Sequence, residues 1–312
     1  MTAINGSRPA RRAGSQSVRR RSKARKEAIT AYLFILPALL FYVAFLALPT
    51  VGTVFISFFD WTGTTLRELD WIGVGNYTEL AGDEVFRKAL VHNVVFIVVG
   101  ATVAVAIGLV LAVLLEQGLP GSGLFRGAFF IPTILSLIVV GLVFSLMASP
   151  ELGLVNPFLE AIGLGGLQRA WLGDPQTALA SVIAGTVWRD FGFAMLIFVA
   201  ALKGFDHQLF EAARLDGASP LQIFRRITVP LLRPVTITVL VLITIGMLKL
   251  FDLVYVMTDG GPDHSSEVLS TWMYAQAFNF DRLGYGSAIA VFLLLLTVVV
   301  GVVQLRAGRD NT

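Results

Sequence analysis

The sequence lacks cysteine and is poor in charge. None of its 312 residues is Cys, which excludes both a disulfide framework and a thiolate metal site. Only 14% of the residues are Asp, Glu, Lys or Arg, whereas soluble domains carry about 25%. Hydrophobic residues make up 55% of the chain. Much of the protein surface is therefore predicted not to face water.

Patterns for catalysis, metals and nucleotides are missing as well. The three histidines, His92, His207 and His264, lie in different segments without metal-ligand spacing. The chain has neither Gly-x-x-x-x-Gly-Lys-[Ser/Thr], which cradles phosphates, nor the Gly-x-Ser-x-Gly nucleophile turn. We therefore predict no catalytic residue, no metal site and no cofactor bound by this chain.

Long apolar runs dominate what is present. A helix that crosses a bilayer needs about 20 mostly apolar residues, and six runs qualify. They are continuous, unlike the alternating strands of a membrane barrel, so we predict helices. The prediction is an all-α integral membrane protein with a transmembrane domain over 28–306, a disordered basic tail over 1–27 and a short tail over 307–312. The predicted spans lie near 30–58, 90–115, 127–149, 177–202, 234–257 and 284–305.

The distribution of basic residues predicts the orientation. Residues 1–27 contain nine Lys or Arg directly before an apolar run. With the N-terminus inside, the inner segments carry 17 Lys and Arg and the outer connections carry five, as the positive-inside rule requires. We therefore predict cytoplasmic N- and C-termini. The basic tail is interpreted as setting orientation against the lipid bilayer and not as binding nucleic acid, because no folded basic module follows it.

The inner connection 203–233 carries ordered helix signals. Asp206 is a suitable N-cap, and Gly217 suits the left-handed residue that closes a helix. Ser219, followed by Pro220 and then Gln222, forms a capping box that starts a second helix. Pro230 is predicted to end that helix. The connection is therefore predicted to fold into two short helices with a tight turn between them.

The second short helix is predicted to be amphipathic. Leu221, Phe224 and Ile227 fall on one stripe, with Arg225 and Arg226 off it. Such a helix on the inner side can lie on the membrane surface or in the groove of a soluble protein. The physical pattern alone leaves both partners open.

Two segments resemble a known family. The run Glu211-Ala212-Ala213-Arg-Leu-Asp216-Gly217-Ala218, followed by Phe224, Ile227 and Pro230, resembles the EAA motif of ABC importer permeases, with Val229 where Leu is usual. The run from Phe251 to Pro262, with its Thr258-Asp-Gly260-Gly261-Pro262 turn, resembles the segment after the fifth core helix of maltose-type carbohydrate permeases. The resemblance extends from about residue 30 to the end, and it favours the maltose-F-like type of subunit.

The resemblance implies a function and a set of partners. It implies a permease subunit in a bacterial or archaeal inner membrane that imports a sugar. The partners would be a second, maltose-G-like permease, an ABC ATPase dimer that binds ATP-Mg, and an extracytoplasmic solute-binding protein. The external turn would comprise Thr258, Gly260, Gly261 and Pro262. The residues implied to couple to the ATPase are Glu211, Ala212, Ala213, Asp216, Gly217, Phe224, Ile227 and Pro230.

Polar and aromatic residues within the spans are candidates for the sugar pathway. Ionisable side chains in a membrane are costly and usually face a cavity or a partner. Arg189 could instead snorkel to the surface, and Lys249 could pair with Asp252 at i and i+3. The candidates are Trp188, Arg189, Asp190, Phe191, Lys249, Asp252 and Tyr255.

An ion-coupled secondary transporter is the alternative function. It would need its own coupling-ion site, which the charges within the spans could supply. No inverted repeat supports that reading. The sequence does not specify which sugar or polyol is carried.

Overall fold

The structure is a computed structural model that describes residues 30–65 and 69–309. The predicted tail 1–27 and residues 310–312 lie outside the described residues, whereas residues 307–309 continue the last helix. The helices are α1 (Thr30–Ile56), α2 (Gly75–Gly82), α3 (Glu84–Leu115), α4 (Ser122–Ile134), α5 (Leu137–Ala148), α6 (Val155–Ala161), α7 (Ala178–Leu202), α8 (His207–Leu215), α9 (Pro220–Leu248), α10 (Asp252–Met257), α11 (Leu269–Tyr274) and α12 (Leu283–Arg309).

The helical membrane fold is confirmed. Five helices of the described chain, namely α1, α3, α7, α9 and α12, are long and apolar enough to cross a membrane, and the bent pair α4 and α5 forms a sixth candidate. The predicted runs near 30–58, 177–202 and 284–305 coincide with α1, α7 and α12. Helix α3 begins at Glu84, earlier than the predicted 90, because Asp83 caps it.

Two compact units divide the chain at Phe55. In the first unit the structure describes residues of α1 alone, and none of them is buried. A helix that is apolar on all sides suits a lipid environment. The second unit, Ile56–Thr312, holds all the remaining elements.

Helix α7 is the centre of the second unit. It packs closely on α3, where a Cβ at Gly108 would lie 2.6 Å from the Cβ of Ala194. It also packs on α4, where a Cβ at Gly192 would lie 2.1 Å from the carbonyl oxygen of Phe129. Small residues allow helix backbones to approach in this way, and dispersion contacts then stabilise the pair. The fully buried Met195 and Phe198 of α7 belong to the resulting core.

The predicted span near 127–149 is a bent pair of helices, and the kink that Pro132 predicts is here a full break. The structure has two helices, α4 and α5, whose axes differ by 98°. Pro132 lies in the last turn of α4 and removes a backbone donor. Leu135 and Ser136 then adopt extended conformations, with ψ values of 142° and 141°. Pro132 indicated a kink in this segment, but the sequence did not indicate its size.

The predicted boundary at Pro230 is also wrong. Helix α9 is continuous from Pro220 to Leu248, so the connection 203–233 does not end in a separate second helix. A π-helical turn at Phe224–Thr228 precedes the proline, and such a widened turn accommodates Pro230 without a break.

The fifth predicted span, 234–257, ends early. Residues 249–251 are not helical and a short helix, α10, follows. Lys249 and Asp252 therefore do not share one continuous helix. Among the described residues no ion pair joins these two side chains, so the predicted i, i+3 pairing is wrong.

A small hairpin was not predicted. Strands β1 (Phe59–Asp60) and β2 (Asp70–Trp71) pair antiparallel. The buried side chain of Asn76 donates to the carbonyl oxygens of Ser57 and Phe59, both at 2.9 Å. The hairpin rests on the start of α12, where a Cβ at Gly284 would lie 2.0 Å from the Phe59 oxygen.

Candidate functional site

Helix α8 begins as predicted. The side chain of Asp206 accepts a hydrogen bond from the backbone N–H of Gln208 at 2.9 Å. This bond satisfies one of the free donors at the helix start. The N-cap prediction is therefore confirmed.

The turn after α8 is a Schellman motif. The N–H of Ala218 donates to the Ala213 oxygen and the N–H of Gly217 donates to the Arg214 oxygen, both at 3.0 Å. Gly217 has φ +81°, in the left-handed region, which glycine adopts without steric cost. The predicted role of Gly217 in closing the helix is confirmed.

The start of α9 is a capping box, also as predicted. The Gln222 N–H donates to Ser219 Oγ at 3.3 Å, and the Ser219 N–H donates to Gln222 Oε1 at 2.7 Å. Pro220 occupies the first helical turn, where its missing donor is not needed. The turn and its two flanking helix ends, residues 206–228, are called the coupling hairpin below.

The coupling hairpin exposes both charge and large apolar side chains. Glu211 and Asp216 are exposed, and Leu215 and Leu221 are 89% and 63% exposed. Leu221 was predicted to share an apolar stripe with Phe224 and Ile227, but the buried residues of this segment are Ile223 and Thr228. Of the remaining predicted coupling residues, Ala212 and Pro230 are exposed, and Ala213, Phe224 and Ile227 are half-buried.

A cavity of about 500 Å³ lies between the coupling hairpin and the ends of α3 and α7. Glu211 and Arg214 contribute its charged groups from α8, and Glu116 contributes one from the end of α3. Its lining is Val113, Glu116, Gln117, Leu202, Phe210, Glu211, Arg214, Ala218, Pro220, Ile223, Phe224 and Thr228. Residues of the predicted coupling motif thus border this cavity.

One ion pair beside this cavity was missed by the sequence analysis. Arg126 Nη2 lies 2.7 Å from Glu116 Oε1 and also donates to the Leu115 oxygen at 3.3 Å. Both side chains are about one-fifth exposed. The pair fixes the start of α4 against the end of α3. A lone acid and a lone base ten residues apart, in an otherwise uncharged stretch, were the available signal.

Three of the four pathway candidates on α7, Trp188, Arg189 and Phe191, contact the bent pair of helices. Arg189 Nη1 lies 2.8 Å from Asp190 Oδ1, and the Arg189 oxygen accepts from the Thr133 hydroxyl at 2.9 Å. The rings of Trp188 and Phe191 pack on aromatic rings of α5 and α4. Within the described chain, no hydrogen bond, ion pair or ring contact joins these four residues to Lys249, Asp252 or Tyr255.

The other pathway candidates lie beside an aromatic cluster. Phe251 and Tyr255 stack with ring centroids 5.1 Å apart. Tyr274 lies 5.1 Å from Phe251 and 5.6 Å from Tyr255, and Phe278 lies 5.1 Å from Tyr274. These four residues are called the aromatic cluster below. The sequence analysis found Tyr255 and missed the other three. The available signal was the i, i+4 spacing of Phe251 with Tyr255 and of Tyr274 with Phe278.

The Thr258–Pro262 turn is held by buried polar groups. The Ser266 hydroxyl donates to the Gly261 oxygen at 2.7 Å and lies 2.8 Å from the Thr258 hydroxyl. The Gly261–Pro262 peptide bond is cis. Gly260 has φ +78°, and a Cβ there would lie only 2.4 Å from Glu267 Oε2. Glycine is therefore required at position 260 for two reasons, namely the left-handed backbone conformation and the close approach of the Glu267 side chain.

Glu267 joins this turn to α3. Its carboxylate is buried and accepts from the Thr271 hydroxyl at 2.5 Å, with His264 Nδ1 2.8 Å away. Its backbone oxygen lies 2.7 Å from Nδ1 of His92 on α3. One residue later in α3, Asn93 accepts from the Leu269 N–H at 2.9 Å. No group of metal-ligating side chains occurs in the described ranges.

Asp83 forms a second junction. It caps α3 through the N–H groups of Val85 and Phe86, and it accepts from Trp272 Nε1 at 2.8 Å and from the Tyr285 hydroxyl at 2.6 Å. Burial alone would raise the pKa of Asp83, but these four donors outweigh it and lower the pKa. A single carboxylate thus joins α3, α11 and α12.

Comparison with known proteins decides the class of this chain. Residues 104–309 match the family described as "Binding-protein-dependent transport system inner membrane component". The chain belongs to this family. The permease is therefore a multi-pass inner-membrane protein, and the predicted family is confirmed.

Curated relatives align with nearly the whole permease. The probable ABC transporter permease protein YurN of Bacillus subtilis is 41% identical and covers 89% of this chain and 95% of its own length. The trehalose/maltose transport system permease protein MalF of Thermococcus litoralis is 34% identical over 91% of this chain and 95% of its own. The lactose transport system permease protein LacF of Rhizobium radiobacter has the same identity and coverage. The relatives are transport subunits and not enzymes. This chain is likewise a transport subunit and not an enzyme.

A solved structure shares the fold. It belongs to a bacterial ABC transporter involved in the import of the acidic polysaccharide alginate, with a TM-score of 0.80 at 22% identity. The match covers 93% of this chain and 99% of the other. At this identity the likeness shows the ABC importer permease fold alone.

Proposed function

We propose that the permease forms half of the translocation pathway for a sugar or sugar-like solute and is driven by a separate ATPase that binds the coupling hairpin. The observation that carries this proposal is a locally stabilised hairpin with exposed leucines at its turn. Leu215 and Leu221 flank Gly217 and are 89% and 63% exposed. Exposed apolar side chains on a folded, capped element are typical of a protein–protein contact.

Helix α9 supplies a path from the hairpin to the proposed sugar pathway. It runs without interruption for 29 residues, from Pro220 to Leu248. At about 1.5 Å per residue this is roughly 43 Å of helix. A movement imposed at Pro220 is therefore carried by one helix to Lys249 and the aromatic cluster. In this proposal, ATP-driven closure of the ATPase dimer shifts α9 and switches the pathway between inward-open and outward-open states.

The proposed partners complete the transporter. A second, maltose-G-like permease supplies the other half of the pathway, and ATP-Mg binds to the ATPase dimer. An extracytoplasmic solute-binding protein delivers the solute. Relatives named for lactose and for trehalose/maltose support a sugar as the solute class. A solved relative in complex with a pentasaccharide-bound periplasmic protein supports the delivery step.

The coupling hairpin is proposed to lie in the cytosol, with both termini. The chain contains no cysteine, so Ser219→Cys provides one unique thiol. A membrane-impermeant maleimide should label it in inverted vesicles and not in intact cells. Asp263→Cys, in the turn proposed to be external, is the matched control and should give the opposite pattern.

Co-purification tests the coupling partner. The tagged permease, purified from its native membrane, should bring an ABC ATPase and a second permease. Leu215→Ala combined with Glu211→Gln should reduce ATPase recovery at least tenfold, because it removes the exposed contact. Leu152→Ala is a control at another exposed leucine and should leave recovery unchanged. Full ATPase recovery with the double variant would contradict the proposed docking surface.

A further inference from the structure

We propose that the aromatic cluster and Lys249 form a subsite for a sugar that carries an anionic group, such as a carboxylate. This inference rests on the proposed function, because it assigns a substrate class to the proposed pathway.

The end of α9 opens onto a small cavity of about 360 Å³. Cavities that bind small molecules have volumes of about 300–1,000 Å³. The cavity is lined by Lys249, Phe251, Ser270, Met273, Tyr274 and Leu293. Among these described lining residues Lys249 carries the single charge, and no carboxylate is present.

The Lys249 ammonium group is available to a ligand. Its residue is exposed, and within the described chain it takes part in no ion pair. The nearest acid in sequence, Asp252, lies in the first turn of α10, where a carboxylate is favoured by the helix dipole. Lys249 itself ends α9, where a cation is favoured for the same reason. The dipole of α9 therefore explains why Lys249 is tolerated at the end of the helix. It does not explain why the cavity lining contains no acidic side chain.

The cavity is built by tertiary contacts at the helix break. The Ser270 hydroxyl donates to the carbonyl oxygen of Leu250, so the non-helical backbone is satisfied from α11. Irregular backbone next to a membrane span is tolerated where it is buried in protein or lines a cavity. Discontinuous helices are common at transporter binding sites. The break thus places Lys249 and Phe251 side by side on the cavity wall.

The chemistry of the wall fits an anionic sugar. Phe251 and Tyr274 line the cavity, and each packs against Tyr255. Their ring faces can stack on the apolar face of a sugar, while Lys249 acts as a point charge for an oxyanion. An uncharged sugar would leave the ammonium group unmatched in the cavity. A cation with aromatic faces and no acid therefore favours an acidic sugar over a neutral one.

Saturation-transfer NMR can test this on the transporter complex in phosphatidylcholine nanodiscs. The probes are a disaccharide that ends in a hexuronate and its neutral hexose counterpart. Wild type should transfer saturation to the uronate probe, with an affinity that falls as salt rises. Lys249→Gln should weaken uronate binding roughly ten- to hundredfold, the usual effect of losing a hydrogen bond to a charged group. Lys249→Arg should retain most of it.

Further variants and lipids separate the alternatives. Tyr274→Leu should weaken both probes, because it removes stacking and keeps the charge. Equal binding of the two probes, unchanged in Lys249→Gln, would overturn the anionic class and leave the sugar pathway intact. Failure of both probes to bind a complex that retains its ATPase would overturn this subsite and not the permease assignment. Loss of uronate binding when phosphatidylglycerol replaces half of the lipid would assign Lys249 to lipid headgroups and overturn the inference.

Discussion

The coupling hairpin and the Thr258–Tyr285 region are both structured segments between spans, yet they are stabilised differently. In the hairpin every bond described above joins residues five or fewer positions apart, as in the Asp206 cap and the Ser219 capping box. In the second region the bonds reach Asp83, His92 and Asn93, about 175 to 200 residues away. The first region can move as a unit without losing its fold. The second is tied to α3.

Because the two regions are stabilised differently, we expect a Gly→Ala substitution to destabilise them by unequal amounts. Gly260→Ala should be the most damaging change, because its Cβ would clash with the buried Glu267 carboxylate and the left-handed backbone disfavours alanine by roughly 1–2 kcal/mol. We expect a total loss of about 3 kcal/mol or more, seen as a lowered thermal unfolding midpoint in detergent. Gly246→Ala is the control, since nothing lies within 4 Å of its Cβ, and it should be neutral or stabilising by up to about 1 kcal/mol because Ala is the better helix former. An unchanged midpoint for Gly260→Ala would contradict the proposed tight packing.

Asp83→Asn should cause the next largest loss of stability. Asp83 accepts four hydrogen bonds, and hydrogen bonds to a charged group contribute about 1.5–3 kcal/mol each at most. Asn retains part of them, so we expect a loss of about 1–3 kcal/mol in thermal unfolding at pH 7.

The same variant has a defined pH dependence. The pKa of Asp83 is lowered in the folded protein, so its contribution is fully present above the unfolded pKa of about 4 and is lost as the pH falls through the folded value. The difference between wild type and Asp83→Asn should therefore shrink as the pH is lowered below about 4. A difference that grows at low pH would show that the sign of the shift is wrong.

Gly217→Ala should have a smaller effect on stability. Its Cβ would meet nothing within 4 Å, so the cost is limited to the left-handed conformation, roughly 1–2 kcal/mol. Hydrogen exchange should report faster opening of α8 while the global unfolding midpoint stays nearly unchanged. Gly217→Asn should lie between wild type and Gly217→Ala, because Asn tolerates this conformation better. A global loss equal to that of Gly260→Ala would erase the contrast between the two regions.

Ser219→Ala should have the smallest effect. It removes one side of the capping box, which contributes about 1 kcal/mol, and frays only the start of α9. Ser219→Asp retains a capping oxygen and should restore wild-type exchange rates at Gln222. Equal protection in Ser219→Ala and wild type would show that the cap does not stabilise this turn.

Prediction from sequence succeeded where the controlling interactions are local or set by composition. The helix caps at Asp206 and Ser219 and the glycine at Gly217 need only their neighbours in the chain. It indicated a kink at Pro132 but not a bend as large as 98°, and it failed at Pro230, where a π-helical turn carried α9 through the proline. It also missed Tyr274, because its ring partners Phe251 and Tyr255 lie about 20 residues away, and Phe278, which packs on Tyr274.

The sequence by itself determined the membrane class, most of the helical spans and the folded coupling hairpin, because bilayer thickness and backbone hydrogen bonding act on contiguous residues. The tertiary structure decided that α9 continues through Pro230 as far as Leu248, and that α3 joins the Thr258–Tyr285 region through Asp83, His92 and Asn93. It also decided that Lys249 faces a cavity and does not pair with Asp252. These outcomes depend on which side chains meet after the helices pack, and the spacing of residues along the chain does not specify that.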